Sequence, residues 1–291
     1  MTEIRQNSIQ EVWLGPMEGV MKEPFIKTVS SLKLVSRWMT PFFRVTTGVP
    51  KDKQIAAFLA PFLETGLPVS GQIMGPDRKL LCKTALLMLK HGCIDVNLNC
   101  GCPSSRVVSG NAGGGSLKNL ASLADILKGL RDTLPAGCFS VKSRIGYQSN
   151  QSQEVIGVIT ENGSPDRLFI HARSVKELYL NVPDIDERFS EIIRLTEQQR
   201  NNGMKLILNG DIKSVSQAEK LRECGVMCAR YWMRDPGLLR RIEFREDKDP
   251  ETSRTEFFDT FMQLNNAHGA ALEITRMLWG TESVQFKNLL R

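Results

Sequence analysis

Short apolar runs closed by Gly, Pro or Asn recur along the chain, and the stretches between them carry apolar residues three and four positions apart. The runs are VWLG (12–15), SRWMTPFF (36–43), PVSGQIM (68–74), CIDVNLN (93–99), CFSVKSRIG (138–146), RLFIHAR (167–173), KLILNGDI (205–212) and GVMCAR (225–230). Runs of this length bounded by turn formers predict strands buried on both faces. The intervening KQIAAFLAPFLETG, DRKLLCKTALLMLKHG and LASLADILKGLRDTL predict amphipathic helices, and Ser214 is placed to cap a helix over VSQAEKLREC that Gly225 would close. Eight such units over roughly 240 residues predict an α/β fold of the (β/α)8 TIM-barrel kind. A doubly wound open sheet is disfavoured, because LGPMEGVM after the first strand is a poor match to a dinucleotide-binding turn. After Glu246, the charged DKDPETSR leads into two or three further helices. The expected division is a barrel over 1–246 and a small helical domain over 247–291.

Composition narrows the setting without changing this outline. With 41% hydrophobic residues in 291, the chain can bury a large core. Its seven cysteines are scattered from Cys82 to Cys228, and MTEIRQNSIQEVW lacks the basic-then-apolar layout of a secretory signal. A reducing cytoplasm is expected. No apolar run approaches the ~18 residues of a membrane span. A net charge of +6 suits a polyanionic partner, though a charge of this size is common among soluble proteins.

In a barrel, polar residues at strand ends converge on one mouth. Those collected here are Pro16, Met17, Glu18, Arg44, Gln72, Asn97, Asn99, Cys102, Lys142, Arg144, His171, Arg173, Asn209 and Arg230. Lys142, Arg144 and Arg173 alternate with apolar neighbours, and an inward cation is costly unless an anion or polar ligand meets it. LNGDI and CAR end the seventh and eighth strands, where barrels frequently hold phosphate. Gly210 there permits close approach, and Arg230 adds charge-assisted hydrogen bonds.

The stretch NLNCGCPSSRVVSGNAGGGSL (97–117) presents two cysteines around one glycine, then a glycine-rich tail. The spacing is too short for a zinc knuckle and no second ligand pair exists, so no metal is expected. A disulfide would be strained, and the tail lacks the Lys-Ser/Thr ending of a phosphate loop. Two readings remain: a folded flap presenting one thiol as a general acid, or two small buried cysteines.

GPMEGVM, GQIMG, DVNLNCGCPSSRVVSGNAGGGSL, VKSRIGY, IHARS and LNGDI, in this order over about residues 12–240, resemble the tRNA-dihydrouridine synthases, and more closely their bacterial C type. The resemblance implies a flavoprotein that reduces a uridine of tRNA to 5,6-dihydrouridine, holding FMN in the barrel mouth and using NADPH as reductant. By the same resemblance Pro16, Met17 and Glu18 line the flavin, Gln72 bonds its ring edge, and Lys142 faces its N1/C2 side. His171, Asn209, Gly210, Asp211, Ala229 and Arg230 hold the rest, chiefly ribityl and phosphate. Cys102, rather than Cys100, is the implied proton donor, while Arg44, Asn99 and Arg144 meet the flipped uridine and its backbone. A cytoplasmic monomer acting on tRNA is expected, with no metal and no membrane.

Two departures qualify the resemblance. The eighth strand reads MCARYWMRDP, with Ala229 in place of glycine and Tyr231-Trp232 in place of a small pair, and this bulk is expected to crowd the flavin phosphate. The C-terminal region is short, with sparse basic residues at Arg254, Arg276, Lys287 and Arg291, so its grip on tRNA is expected to be weak. The alternatives are a family-derived barrel that has lost FMN or tRNA, or an FMN barrel acting on a small molecule.

Overall fold

In the computed structural model, which describes residues 9–265 and 268–290, the strand and helix units of the hydrophobic pattern are all present. The strands are β1 (Val12–Leu14), β2 (Trp38–Met39), β3 (Phe43–Arg44), β4 (Val69–Met74), β5 (Asp95–Cys100), β6 (Phe139–Arg144), β7 (Arg167–His171), β8 (Lys205–Asn209) and β9 (Gly225–Cys228). They run parallel in the order β1-β9-β8-β7-β6-β5-β4-β2, with β3 also on β4. Helices on the outside complete a TIM barrel.

The second run, expected as one strand, is two. Pro41 has no N–H to give to the ladder. Pairing is kept on either side of it by Thr40 N to the Ser70 carbonyl at 3.0 Å and Val45 N to the Met74 carbonyl at 2.7 Å. So β2 and β3 fill one barrel position. Among the described residues no ladder joins β1 to β2, and the barrel keeps one seam. Arg37 covers its lower end, 5.3 Å over the Trp13 ring and 3.5 Å from the Glu11 carboxylate.

Inside, the side chains form layers. Trp13, Met39, Phe169, Ile207 and Met227 plug the interior, with Trp13 edge-on to Phe169 at 5.1 Å. Below them Glu11 is buried, accepting from Trp13 Nε1, Lys205 and Arg167. Above them the interior turns polar.

The helix expected over VSQAEKLREC is shorter, Val215–Glu219. Ser214 caps it by accepting from Gln217 N. Gly225 does not close this helix but opens β9, pairing with Ile207. A Cβ there would stand 2.9 Å from the Glu11 carbonyl and from Ile207, so the ladder itself requires glycine.

Three helices follow the barrel, Pro250–Leu264, His268–Leu278 and Val284–Leu289; residues 1–8 and Arg291 lie outside the described residues. Asp249 caps the first of these by accepting from Thr252 N at 2.9 Å. Phe257 packs 5.7 Å from Phe25 and 5.9 Å from Trp232, and Phe261, Ile274 and Leu278 belong to the same apolar cluster as the barrel shell. Phe257→Ala should therefore cost about 3–5 kcal/mol of global stability, as aromatic truncation in a packed core does. In urea this reads as a lower midpoint of a single transition; an early transition that spares the barrel would contradict a shared core.

Candidate active site

The carboxyl ends of the strands surround a cavity of about 600 Å³, within the ~300–1,000 Å³ typical of ligand sites. Pro16, Met17 and Glu18 reach it from the loop after β1, and Gln72 from β4. Asn99, Cys102, Lys142, Arg144 and His171 line it from β5 to β7 and the loop after β5. Asn209, Gly210, Asp211, Ala229 and Arg230 complete the wall. Arg44 is not part of this lining: it is exposed and donates to the Arg106 carbonyl at 3.0 Å, outside the mouth. Asn97, also gathered as a strand-end residue, lies fully buried one layer below.

The two cysteines of the opening stretch have different surroundings. Cys100, the last residue of β5, is buried in the apolar shell beside Ser116, and burial pushes its thiol up to about 12. Cys102 lies past the strand end, half-buried at the cavity. Burial raises its pKa, the Ser104 backbone N–H pulls it back, Glu18 raises it, and Lys142 and Arg144 lower it, with a net rise. The thiol is thus protonated at neutral pH. All seven cysteines are free, and among the described residues no group of three or more His, Cys, Asp or Glu is placed to hold a metal ion.

The glycine-rich tail is the seat of Cys102. Gly114 N donates to the Cys102 carbonyl at 2.9 Å, and a Cβ on Gly114 would stand 2.9 Å from that oxygen and 2.7 Å from Val175. Gly113 has a φ of +53°, and a Cβ there would stand 3.1 Å from the Cys102 Cβ. Only glycine allows the flap to fold this closely under the thiol.

The three inward cations are treated differently. Arg144, 2% exposed, donates to the carbonyls of Gly101 (3.0 Å), Ser174 (2.7 Å) and Leu178 (2.8 Å). Arg173, 1% exposed, donates to the Leu180 carbonyl at 2.9 Å and pairs with the Asp211 carboxylate. Its third contact, at 3.2 Å, is His171 Nε2. A guanidinium only donates, so Nε2 accepts and the His171 proton sits on Nδ1. Burial, then the surrounding Arg144, Lys142, Arg173 and Arg230, hold His171 well below its usual pKa and keep it neutral. Lys142 has no hydrogen-bond or ion-pair partner among the described residues. Burial, and then Arg144, bring its pKa down to about 8.

Asn99 was expected at the uridine, yet much of its side chain is committed. Its Oδ1 accepts from Gly101 N and Cys102 N, both at 3.0 Å, and its Nδ2 donates to Gln72 Oε1 at 2.8 Å. Asp211 is likewise taken by Arg173. Beside it Gly210 has a φ of +130°, and a Cβ there would stand 3.3 Å from the His171 ring. Asn209 Nδ2 donates to the Met227 carbonyl at 2.8 Å, joining the ends of β8 and β9.

Sequence reasoning missed the rim loop after β7. Leu178, Tyr179 and Leu180 are 47%, 50% and 65% exposed at the mouth. Arg230 lies 3.7 Å from the Tyr179 ring centroid and Arg144 lies 5.4 Å from it. Arg144 and Arg173 hold the backbone carbonyls, while Glu177, taken down to about 2 chiefly by Arg188, accepts from Ser174 N at 2.6 Å. VKELYLN has neither a strand nor a helix period, so the only signal was an apolar trio in a loop.

Of the bulky pair after β9, Trp232 does not crowd the mouth as expected. Trp232 turns into the core and packs 5.9 Å from both Phe25 and Phe257. Tyr231 lines the cavity at its rim, 40% exposed. Ala229 lies close to Gly15, where a Cβ would stand 2.8 Å from its own.

Residues 13–277 match the family model described as Dihydrouridine synthase (Dus). The tRNA-dihydrouridine(16) synthase of Haemophilus ducreyi is 29% identical over 253 residues, covering 83% of this chain and 75% of that protein. The tRNA-dihydrouridine(16) synthase of Escherichia coli is 29% identical over 251 residues, covering 82% and 77%. The tRNA-dihydrouridine(20/20a) synthase of Yersinia pestis is 33% identical over 220 residues, covering 71% and 61%. Among solved structures, the old yellow enzyme from Trypanosoma cruzi superposes with a TM-score of 0.54 at 8% identity, covering 88% of this chain and 93% of that one. At that identity the likeness concerns the fold alone.

The unpaired Lys142 generates a test. Its folded pKa of about 8 lies below the ordinary 10.5, so between these values the unfolded chain binds more protons than the folded one. Stability from this group therefore rises with pH across that window, and its burden is fully present below it. Without ligand, Lys142→Met should be more stable than the parent at pH 7, with the gap shrinking toward pH 10.5. Urea unfolding at several pH values checks this; a less stable variant at pH 7 would contradict an unpaired cation.

Proposed function

The chain belongs to the dihydrouridine synthase family, and we propose that its barrel mouth is where FMN and a uridine of tRNA meet. The protein is a flavin-dependent tRNA-dihydrouridine synthase, an oxidoreductase of the C5=C6 bond of uridine. The observation that carries the site assignment is the shared cavity of the unpaired Lys142 and the protonated Cys102.

The residues present fit FMN. Lys142 has no hydrogen-bond or ion-pair partner among the described residues, and a flavin ring edge that gains negative charge on reduction would supply one. Gly210 lets the chain approach a ligand where a side chain would press on His171. Arg230, exposed just past β9, has no carboxylate partner among the described residues and suits a phosphate. Pro16, Met17 and Glu18 would cover the ring, Gln72 and Lys142 would meet its polar edge, and His171, Asn209, Asp211 and Ala229 would wall the ribityl side. Trp232, turned into the core, leaves the phosphate region open, which supports the active enzyme over a barrel that has lost its flavin.

When bound, with NADPH as reductant, the flavin would supply the hydride that reaches C6 of the uracil. Cys102 then gives its proton to C5: the S–H bond breaks, the C5–H bond forms, and the thiolate left behind faces Lys142 and Arg144. Recovery of a proton from solvent resets it. Arg144 shapes the uridine side by fixing the loops at Gly101 and at 174–178, and Asn99 holds the cysteine loop from below. The base must leave its stack to reach this depth, which favours a locally open part of tRNA.

Arg230 on the cavity wall, with exposed Arg44 on β3, Arg106 and Lys118 in the segment after β5 and Lys176 after β7, gives the polyanion positive charge to meet. The helices from 247 onward contribute less in this reading, because Arg254 is paired with Glu251 and Lys287 with Glu282. No helix among the described residues is long and apolar enough to cross a membrane. A metal-free cytoplasmic monomer completes the reading.

The test is Cys102→Ala. A general acid commonly contributes ~10²–10⁴ in rate. The variant should keep its yellow flavin and lose at least about a hundredfold in dihydrouridine formed on unmodified tRNA, while Cys100→Ala should lose far less. Full turnover by the Cys102 variant would overturn the assignment.

A further inference from the structure

Beneath the mouth lies a chain of side-chain amides whose direction can be read without ambiguity. It starts at two backbone N–H groups, Gly101 and Cys102, which can only donate, so the Asn99 atom that meets them is its oxygen. Asn99 Nδ2 must then face Gln72, and does so at 2.8 Å from Oε1. Gln72 Nε2 is thereby turned toward Asn97 Oδ1, also at 2.8 Å, with Met39 Sδ 3.3 Å away. Asn97 Nδ2 in turn donates to Ser140 Oγ at 2.9 Å. The register makes these contacts obligatory neighbours: Gln72 stands opposite Asn97 between β4 and β5, and Asn97 opposite Ser140 between β5 and β6.

Gln72, Asn97 and Ser140 are 0% exposed, and neither Asn97 nor Ser140 lines the cavity. A buried amide with its partners removed costs more than the bond itself was worth, so the members hold one another in orientation. Two consequences reach the site. Gln72 has both Nε2 hydrogens engaged inside the floor and can offer a ligand only its Oε1 lone pair, so the ligand atom that meets it must be a donor, such as the ring N–H of a flavin. Asn99 is held with its oxygen under the cysteine loop.

We propose that Asn97, backed by Ser140, is a positioning residue: without touching substrate or cofactor it fixes the amide direction of Gln72 and Asn99, and through Asn99 the seat of Cys102. The proposal rests on the reading of Cys102 as proton donor. Asn97→Ala removes the acceptor for Gln72 and frees that amide to turn. Asn97→Asp, protonated as burial there favours, keeps the acceptor for Gln72 and donates its own hydroxyl to Ser140 Oγ in place of the amide. Ser140→Ala removes the far end of the chain, together with the hydroxyl that helps hold the buried Asp95.

The test uses amide hydrogen exchange in the flavin-free full chain, together with half-reactions of the flavin-loaded protein. In Asn97→Ala, exchange at the Gly101 and Cys102 amides should quicken by about tenfold, the loss expected for one weakened hydrogen bond. Leu98, paired in the strand ladder, should keep its protection. Transfer to tRNA should slow more than flavin reduction by NADPH, and Asn97→Asp should restore both the protection and the transfer. Ser140→Ala should show the same pattern more weakly, and it carries the test if Asn97→Ala does not fold. Unchanged protection at both amides, or an Asp variant as impaired as the Ala variant, would overturn the proposal. Failure of the underlying reading looks different: the parent protein would hold no flavin or form no dihydrouridine, whatever the amides do.

Discussion

One cation without a counter-charge organises the mouth of this barrel. Strand β6 and the turn after β7 bring three cationic side chains inward, and each must either find acceptors or destabilise the fold. Arg144 and Arg173 find them in carbonyls of the loops that follow the strands and in Asp211, and those loops are thereby shaped around the cavity. Lys142 finds none. The surrounding positive charges also keep His171 neutral, so the cavity presents a field that favours an anionic or electron-rich ligand next to a thiol kept protonated by burial.

The same economy of partners explains the flap after β5. A thiol that must face a ligand needs a loop that folds tightly without side chains of its own, and Gly113 and Gly114 supply it. The turn that carries the thiol is itself fixed by Asn99, which takes both N–H groups of Gly101 and Cys102. Glycine and asparagine thus do for Cys102 what acceptor carbonyls do for the arginines.

Much of this was legible in the sequence, for reasons of period. Eight short buried runs separated by helical spacing have few architectures open to them, and a TIM barrel is what the structure shows. The different surroundings of Cys100 and Cys102 follow from where β5 ends, with Cys100 in the shell and Cys102 at the cavity. What escaped detection depends on contacts between residues remote in sequence. That Asn99 and Arg144 spend most of their hydrogen bonds on backbone, that Arg44 stands outside the mouth, and that Trp232 turns into a core shared with Phe257 cannot be read from periodicity. The short helix at 215–219 escaped because Gly225 looked like a cap and is a ladder residue.

The family match and the relatives name the reaction, and the roles proposed for this chain's side chains are argued from the geometry of the mouth. The most direct test of the account is a single turnover: protein reduced by NADPH without oxygen, then mixed with tRNA lacking dihydrouridine, with flavin absorbance followed in time. The account expects reoxidation of the flavin with one dihydrouridine formed for each flavin oxidised. A flavin that stays reduced in the presence of tRNA, or reoxidation with no dihydrouridine, would contradict it.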